Sequence, residues 1–235
     1  MINMKYQLIV LFGPPGCGKG TQANILESKN GYIQLGMSKL LEEFVTDETD
    51  TSVNSSHLKN LNEVEHAIRI RESIKSGGLV SFDDVVSIME KSFSKNLKKG
   101  KRMTLDGFPR TPNQAIWLSG LITKEKVKTL FIHFDLPLAT VLDRIEHRWF
   151  VEGSNKIYSS KEEAIKECLD GKEPFRRELD LNTDIIVKRY NEQYADHNED
   201  IQEGMVNNTF VDTIHINASF HIDEIKTIIE TKLIY

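Results

Sequence analysis

Gly13-Pro14-Pro15-Gly16-Cys17-Gly18-Lys19-Gly20-Thr21 follows directly on the apolar run Leu8-Ile9-Val10-Leu11-Phe12. Gly13, four intervening residues and then Gly18-Lys19 have the spacing of a phosphate-cradling loop. The apolar run reads as a strand buried on both faces of a parallel sheet, so the loop leaves its carboxyl end and opens a helix. Glycines let backbone N–H groups turn inward around an anion, and the helix N-terminus adds partial positive charge. Lys19 then supplies a point charge for the β- and γ-phosphates. The residue after the lysine is Gly20, and the hydroxyl comes one place later than the general motif has it, at Thr21. A glycine-rich strand-to-helix turn can be purely structural, but a strand, glycines and lysine in this order point to phosphate.

The chain of 235 residues is long enough for one or two domains with a sizeable core. A net charge of −5 argues against nucleic-acid binding as its main task. No apolar run approaches the roughly 18 residues of a membrane span, and the first residues lack a charged-then-apolar leader. The two cysteines, Cys17 and Cys168, have no metal-like neighbours. These features predict a cytoplasmic, reduced protein that binds no nucleic acid and no membrane and has no metal-ligand set of its own. Cys17 reads as a small residue that fits the loop rather than as a redox switch. An acidic protein that handles phosphate must gather its cations locally, so the positions of the nine arginines carry information.

Beyond the loop, 21–29 reads as a helix with Ala23, Ile25 and Leu26 toward the sheet, and 32–35 as a second strand. A helix over 38–45 leads into 46–56, which is polar, acidic and without periodicity and predicts a flexible insertion. Leu58, Leu61, Val64 (or Glu65), Ile68 and Arg71 or Glu72 have helical spacing over 58–75, stopped by Ser76-Gly77-Gly78. Ser81 offers an N-cap for a helix to about residue 93 with Val85, Val86, Ile88 and Met89 as its apolar face. The basic run 95–102 reads as a solvated turn. Strands at 103–106 and 129–134 are each closed by an acid, Asp106 and Asp135. Residues 137–148 read as a helix, 149–178 as a polar projecting lid with little core pattern, and 180–198 as one long helix. A last strand at 212–216 and a helix at 222–233 close the chain. This alternation predicts an α/β fold, a P-loop NTPase-type parallel sheet with helices on both faces, with ligand residues at the carboxyl ends of strands.

A second motif is Leu105-Asp106-Gly107-Phe108-Pro109-Arg110. Asp106 at a strand end suits an outer ligand of a Mg²⁺ that keeps most of its waters. Gly107 permits an unusual turn, and Pro109 directs Arg110 into the cleft unless that arginine serves a surface ion pair. Gln114, four residues later, falls on the same side if the chain turns helical there.

The loop motif, Leu105 to Thr111 with Gln114, and Phe134-Asp135-Leu136-Pro137 followed by Asp143-Arg144-Ile145 and Arg148 resemble the adenylate kinases, in register over nearly the whole chain. The resemblance implies transfer of the γ-phosphoryl of Mg·ATP to AMP by a monomer. It implies a single P-loop kinase domain with core 1–35, 79–148 and 178–235, a monophosphate-binding insertion over 36–78 and a lid over 149–177. Gly16, Cys17, Gly18, Lys19, Gly20 and Thr21 would hold the donor phosphates, with Arg144, Arg148, Ile157, Tyr158 and Ala218 completing the ATP site. Leu35, Lys39, Gly78, Leu79, Val80, Gly107, Phe108, Arg110 and Gln114 would line the AMP site, with Arg177 and Arg189. Lys19, Arg110, Arg148, Arg177, Arg189 and, through water to magnesium, Asp106 would act on the transferred group. Planar guanidinium forks match a phosphoryl group whose charge lies on three oxygens. Arg176 or Arg177 could fill the role at the lid exit, with Asp180 orienting whichever it is.

The acceptor segment departs from the family. Where the family has S-T-G-D-[ML]-[ML]-R, this chain has Gln34-Leu35-Gly36-Met37-Ser38-Lys39-Leu40, with Leu40 at the arginine position and Lys39 beside it. Gly77-Gly78-Leu79-Val80 does match the base-reading segment. Lys156-Ile157-Tyr158 matches a lid strand, the four ligands of a zinc lid are missing, and Trp149 stands where many members have an arginine. Three readings remain: a kinase for AMP, a kinase for another monophosphate, and a nucleotide-binding protein with weak or no transfer.

Overall fold

A computed structural model describes residues 4–49, 61–76, 78–154, 156–168 and 172–234. Five parallel strands, β1 (Leu8–Phe12), β2 (Ile33–Gly36), β3 (Met103–Asp106), β4 (Thr129–Asp135) and β5 (Val211–Asn217), form one sheet in the order β2-β3-β1-β4-β5. Every residue of β1 is buried, because the strand lies at the centre with helices over both faces. One core, on the face of Leu8, Val10 and Phe12, joins the sheet to helices α2 (Met37–Thr49), α3 (Leu61–Lys75), α4 (Phe82–Lys98) and α5 (Pro112–Glu125). The opposite core, on the face of Ile9 and Leu11, takes α1 (Lys19–Asn30), α6 (Leu138–Glu146) and α10 (Ile222–Ile234). The predicted α/β architecture is therefore present.

The element boundaries differ where packing overrides local pattern. Residues 46–49, read as flexible, continue α2; the rest of that stretch, 50–60, lies outside the described residues, as do Leu58 and Gly77. The inward face of α3 is Ala67, Ile70 and Ile74, while Ile68 is 44 % exposed and Arg71 and Glu72 face solvent. The side chains of Leu61 and Val64 are not described. The apolar spacing fits two faces one residue apart, and α2, packed against α3 through Leu41 and Val45, selects between them. Ser81 caps α4 as predicted, accepting from the Asp84 N–H. That helix runs on to Lys98 because Phe93 is buried beneath its last turns, so half of the basic run is helical.

The long helix expected over 180–198 is two. Helix α8 (Thr183–Gln193) ends at Tyr194, whose backbone (φ −145°, ψ −70°) leaves the helix, and α9 (Asn198–Val206) resumes after a 3-10 turn. The break drives the Tyr194 ring against Phe12 and its hydroxyl to Asp135. No glycine or proline marks this point, so only the tertiary contact specifies it. Between α6 and α8, a short antiparallel pairing joins Trp149 to Tyr158 and Phe150 to Phe175. Helix α7 (Lys161–Glu167) closes a small core of Val151, Tyr158 and Ala164, so the expected lid does have apolar packing. Among the described residues no helix is long and apolar enough to cross a membrane.

At the amino ends of the strands, away from the loop, Asp212 accepts from the Tyr6 hydroxyl (2.7 Å) and from Lys128 (2.9 Å), with Lys5 at 3.2 Å. Burial alone would raise its pKa, but the three donors outweigh that and hold the carboxyl down at about 2. A depressed carboxylate stabilises the fold above its unfolded pKa of roughly 4, and that stabilisation is lost as pH falls toward 2. The Asp212→Asn variant is expected to be less stable than the parent at pH 6 and to approach it below pH 3, as read by urea midpoints. An unchanged gap across that window would show that this cluster does not titrate with folding.

Candidate phosphoryl-transfer site

The glycine loop runs from the carboxyl end of β1 into α1 as predicted. Gly13 is possible only without a side chain: with φ of 153°, a Cβ there would lie 2.6 Å from the Phe134 carbonyl of β4. This close seating presses the root of the loop onto the sheet and sets its direction. Gly18, Lys19, Gly20 and Thr21 open α1, where the orphan N–H groups of a helix start are aimed. The Lys19 ammonium lies along the loop, donating to the carbonyls of Gly13 and Pro14 at 2.7 Å. Cys17 is buried beneath it, and burial pushes its thiol pKa up against the pull of Lys19, so it is a packed thiol rather than a reactive one.

Asp106 closes β3 beside Leu11 of β1 and Gly36 of β2. Its carboxylate comes within 3.5 Å of where a Cβ on Gly20 would stand, so it faces the first turn of α1. Among the described residues it makes no ion pair. An oxygen ligand beside a phosphate-type loop suits a hydrated Mg²⁺, and the residues present fit that ion.

Gly107 (φ 75°) folds the chain back so closely that a Cβ would meet the Arg110 guanidinium at 2.8 Å. Arg110 is thereby drawn inward. Burial lowers its pKa while Asp106 opposes the fall, so the two groups lie within electrostatic reach. Gln114, buried on α5, does not present its amide to a cleft; its Oε1 accepts from the Arg110 N–H at 2.7 Å and fixes the turn. Phe108 is also turned away, its ring buried edge-on against Trp117.

Opposite Asp106 stand the remaining arginines. Arg148, just after α6, makes a two-pronged ion pair with Asp180, from Nε to Oδ2 at 2.9 Å and from Nη2 to Oδ1 at 2.7 Å. Arg189 on α8 approaches the same carboxylate at 3.5 Å, and the Asp180 side chain is 0 % exposed. Burial, then the nearby charges of Arg148, Arg110 and Arg177, push Arg189 down to about 10, still a cation at neutral pH. Arg177 lies 4.2 Å above the Phe150 ring, which also carries Arg148 at 5.4 Å. Its pKa is lowered by burial and then by Arg148, and partly restored by Asp180, Glu42 and Asp106. Arg110, Arg148, Arg177 and Arg189 thus converge on one region that includes Asp106.

The two arginines at the lid exit have different surroundings. Arg176 donates to the backbone carbonyls of Asp180 (2.9 Å) and Ile145 (3.4 Å), while Arg177 faces the cluster. The Asp180 carboxylate pairs with Arg148 and Arg189, while its backbone carbonyl takes Arg176, so its reach is wider than the single pairing expected. Phe150 and Glu42 belong to the same neighbourhood and were not foreseen. An aromatic two residues after Arg148 was the signal for Phe150, but its facing partner, Phe175, is 25 residues on.

On the donor-base side, Arg144 and Ala218 are brought together, Arg144 donating to the Ala218 carbonyl at 2.8 Å. Tyr158 points into the small core around Val151, so its side chain does not face the cleft, whereas Ile157 is exposed. Where the resemblance puts the acceptor, the Lys39 side chain is 77 % exposed and pairs with Glu43. Leu35 is buried and Leu40 packs against the main core. Gly78 closes the end of α3 by donating to Ser73, and Val80 packs on the core after it, with Leu79 half-buried between them.

Known proteins match this chain over most of its length. The family described as adenylate kinase matches residues 11–213. A protein of Pelagibacter ubique named adenylate kinase is 30 % identical over 92 % of this chain and 94 % of its own. Another of that name, from Vanderwaltozyma polyspora, is 29 % identical over 83 % of this chain and 82 % of its own. One from Mycoplasmopsis pulmonis is 27 % identical over 76 % and 78 % respectively. With the matching span enclosing the loop, Asp106 and all four converging arginines, the chain belongs to the adenylate kinase family.

Proposed function

We propose that the protein transfers the γ-phosphoryl group of ATP reversibly to a nucleoside monophosphate, with AMP as the acceptor and ADP as both products. The observation that carries this reading is that Arg110, Arg148, Arg177 and Arg189 lie within electrostatic reach of one another, with Asp106 in reach of Arg110 and Arg177. Four guanidiniums against the carboxylates of Asp106 and Asp180 leave a surplus of positive charge, which a transferring phosphoryl group neutralises. Loop N–H groups and Lys19 hold the donor phosphates, and Arg144 with the Ala218 backbone borders the base. Arg110 receives the acceptor phosphate, while Arg148, Arg177 and Arg189 spread over the oxygens of the group in flight. Asp106 would hold a hydrated magnesium ion through water, and that ion would offset charge on the donor phosphates. No covalent intermediate on the protein is needed, since in-line positioning and exclusion of water supply the rate.

The acceptor side supports a second reading. With Leu40 in the core and Lys39 in solvent, one phosphate contact of the family pattern has no cationic replacement. Losing one such contact costs about 1.5–3 kcal/mol, roughly ten- to a hundredfold in acceptor binding. That outcome fits either a raised KM for AMP or preference for a different monophosphate. A coupled assay with ATP and each of AMP, dAMP, UMP, CMP and GMP decides: AMP is expected to be fastest, with a high KM. Faster transfer to another monophosphate establishes the second reading, and no ADP from any acceptor overturns both.

The adjacent arginines give a sharper test. Arg177→Ala is expected to lower kcat by about 10²-fold or more with little change in Tm, as for other charge-stabilising donors. Arg176→Ala removes two backbone hydrogen bonds of the lid exit and is expected to lower Tm with a smaller effect on kcat. The reverse pattern, read by steady-state kinetics and calorimetry, would assign the transferring role to Arg176.

A further inference from the structure

Strands β4 and β5 run parallel in a register that sets His133 beside His215, and Asp135 lies two residues beyond His133 on the same face. Their ligand atoms all fall within 4.8 Å of one another. Nδ1 of His133 is 3.0 Å from Nδ1 of His215, and that nitrogen is 3.8 Å from Asp135 Oδ2. The geometry points to a divalent-metal site of the zinc class, held by His133 Nδ1, His215 Nδ1 and Asp135 Oδ2 at the carboxyl end of the sheet. Zinc with nitrogen and oxygen ligands at 2.0–2.2 Å places tetrahedral donors about 3.3 Å apart, between the two separations seen here.

The surroundings have the form of a supported metal centre. The second nitrogen of His133 lies 3.2 Å from the Tyr194 hydroxyl, and that hydroxyl donates to Asp135 Oδ1 at 3.2 Å. His133 Nε2 faces two oxygens that can accept its N–H, the Tyr194 hydroxyl at 3.2 Å and Asp135 Oδ1 at 3.3 Å, and with the proton there Nδ1 turns its lone pair toward His215. A ligating histidine whose other N–H is fixed by an outer partner is the usual arrangement at protein metal sites. His215 and Asp135 are each more than half exposed, which supplies an entry path and room for water in a fourth position. Imidazole suits zinc, copper and nickel, whereas an all-oxygen set would suit magnesium. The break of the 183–206 helix at Tyr194 acquires a purpose here, because it delivers the hydroxyl that orients two of the three ligands.

This ion would tie β4 to the edge strand β5 immediately before Ala218, whose N–H donates to the Asp135 carbonyl. The inference stands apart from the transfer reaction and is tested by binding alone. The full chain, stripped with a chelator, is titrated with zinc chloride against a chromophoric competitor, and with cobalt chloride while visible absorption is recorded. One zinc per chain is expected, with tetrahedral cobalt bands and a raised Tm. His215→Ala and Asp135→Asn, both at exposed positions, are expected to abolish the cobalt bands. Tyr194→Phe should weaken zinc about 10- to 100-fold while leaving the stoichiometry at one. Absence of stoichiometric binding by the parent chain overturns the site and leaves a plain imidazole–imidazole hydrogen bond. Zinc binding that survives both ligand substitutions at full affinity also overturns it, because the ion then sits elsewhere.

Discussion

One buried carboxylate makes the rest of the cleft possible. Asp180 has no solvent of its own, and Arg148 clasps it with two nitrogens while Arg189 approaches from the neighbouring helix. Arginines packed this closely repel one another, and each loses hydration on burial. Without an anion among them the fold would bear several uncompensated charges, and removing one partner of a buried pair typically costs 3–5 kcal/mol. Placing that anion in the 3-10 turn Glu178–Asp180, ahead of α8, anchors the guanidinium that follows α6 and the one on α8 to a single point. The other two, Arg110 and Arg177, rely on backbone shape and an aromatic platform instead.

Much of this was legible because it is local. A strand, a glycine loop and a helix start are neighbours in sequence, and Gly13 and Gly107 mark turns that side chains would block. The strand ends at Asp106 and Asp135 were equally plain, since apolar runs stop where the sheet meets solvent. What local pattern left open was decided by contacts distant in the chain. The division of labour between Arg176 and Arg177 depends on where Ile145 presents its carbonyl, 31 residues earlier. The break at Tyr194 depends on Asp135, 59 residues away, and the face of α3 depends on α2. Phe108 and Gln114 lie in the strongest motif, yet their side chains serve the turn that aims Arg110 rather than the cleft itself.

The two sides of the cleft differ in how they are built. The loop side is assembled from backbone groups and closely seated glycines, which tolerate little change. The side proposed for the acceptor borders α2 and α3, whose inward faces merge with the main core. Leu35, Met37 and Leu41 spend that face on packing, so specificity there must come from fewer polar groups. Sequence drift in the second region is therefore absorbed by the core, whereas drift in the first would disturb the sheet.

Phe150 carries a mechanical consequence. Its ring bears Arg177 and Arg148 while its backbone is bonded in both directions to Phe175 across the short antiparallel pair. Swinging that pair away from the sheet would drag the aromatic platform, and with it the seating of two cations. Cleft opening and loss of local positive potential are then one motion rather than two, so nucleotides would depart as the field that retained them fades.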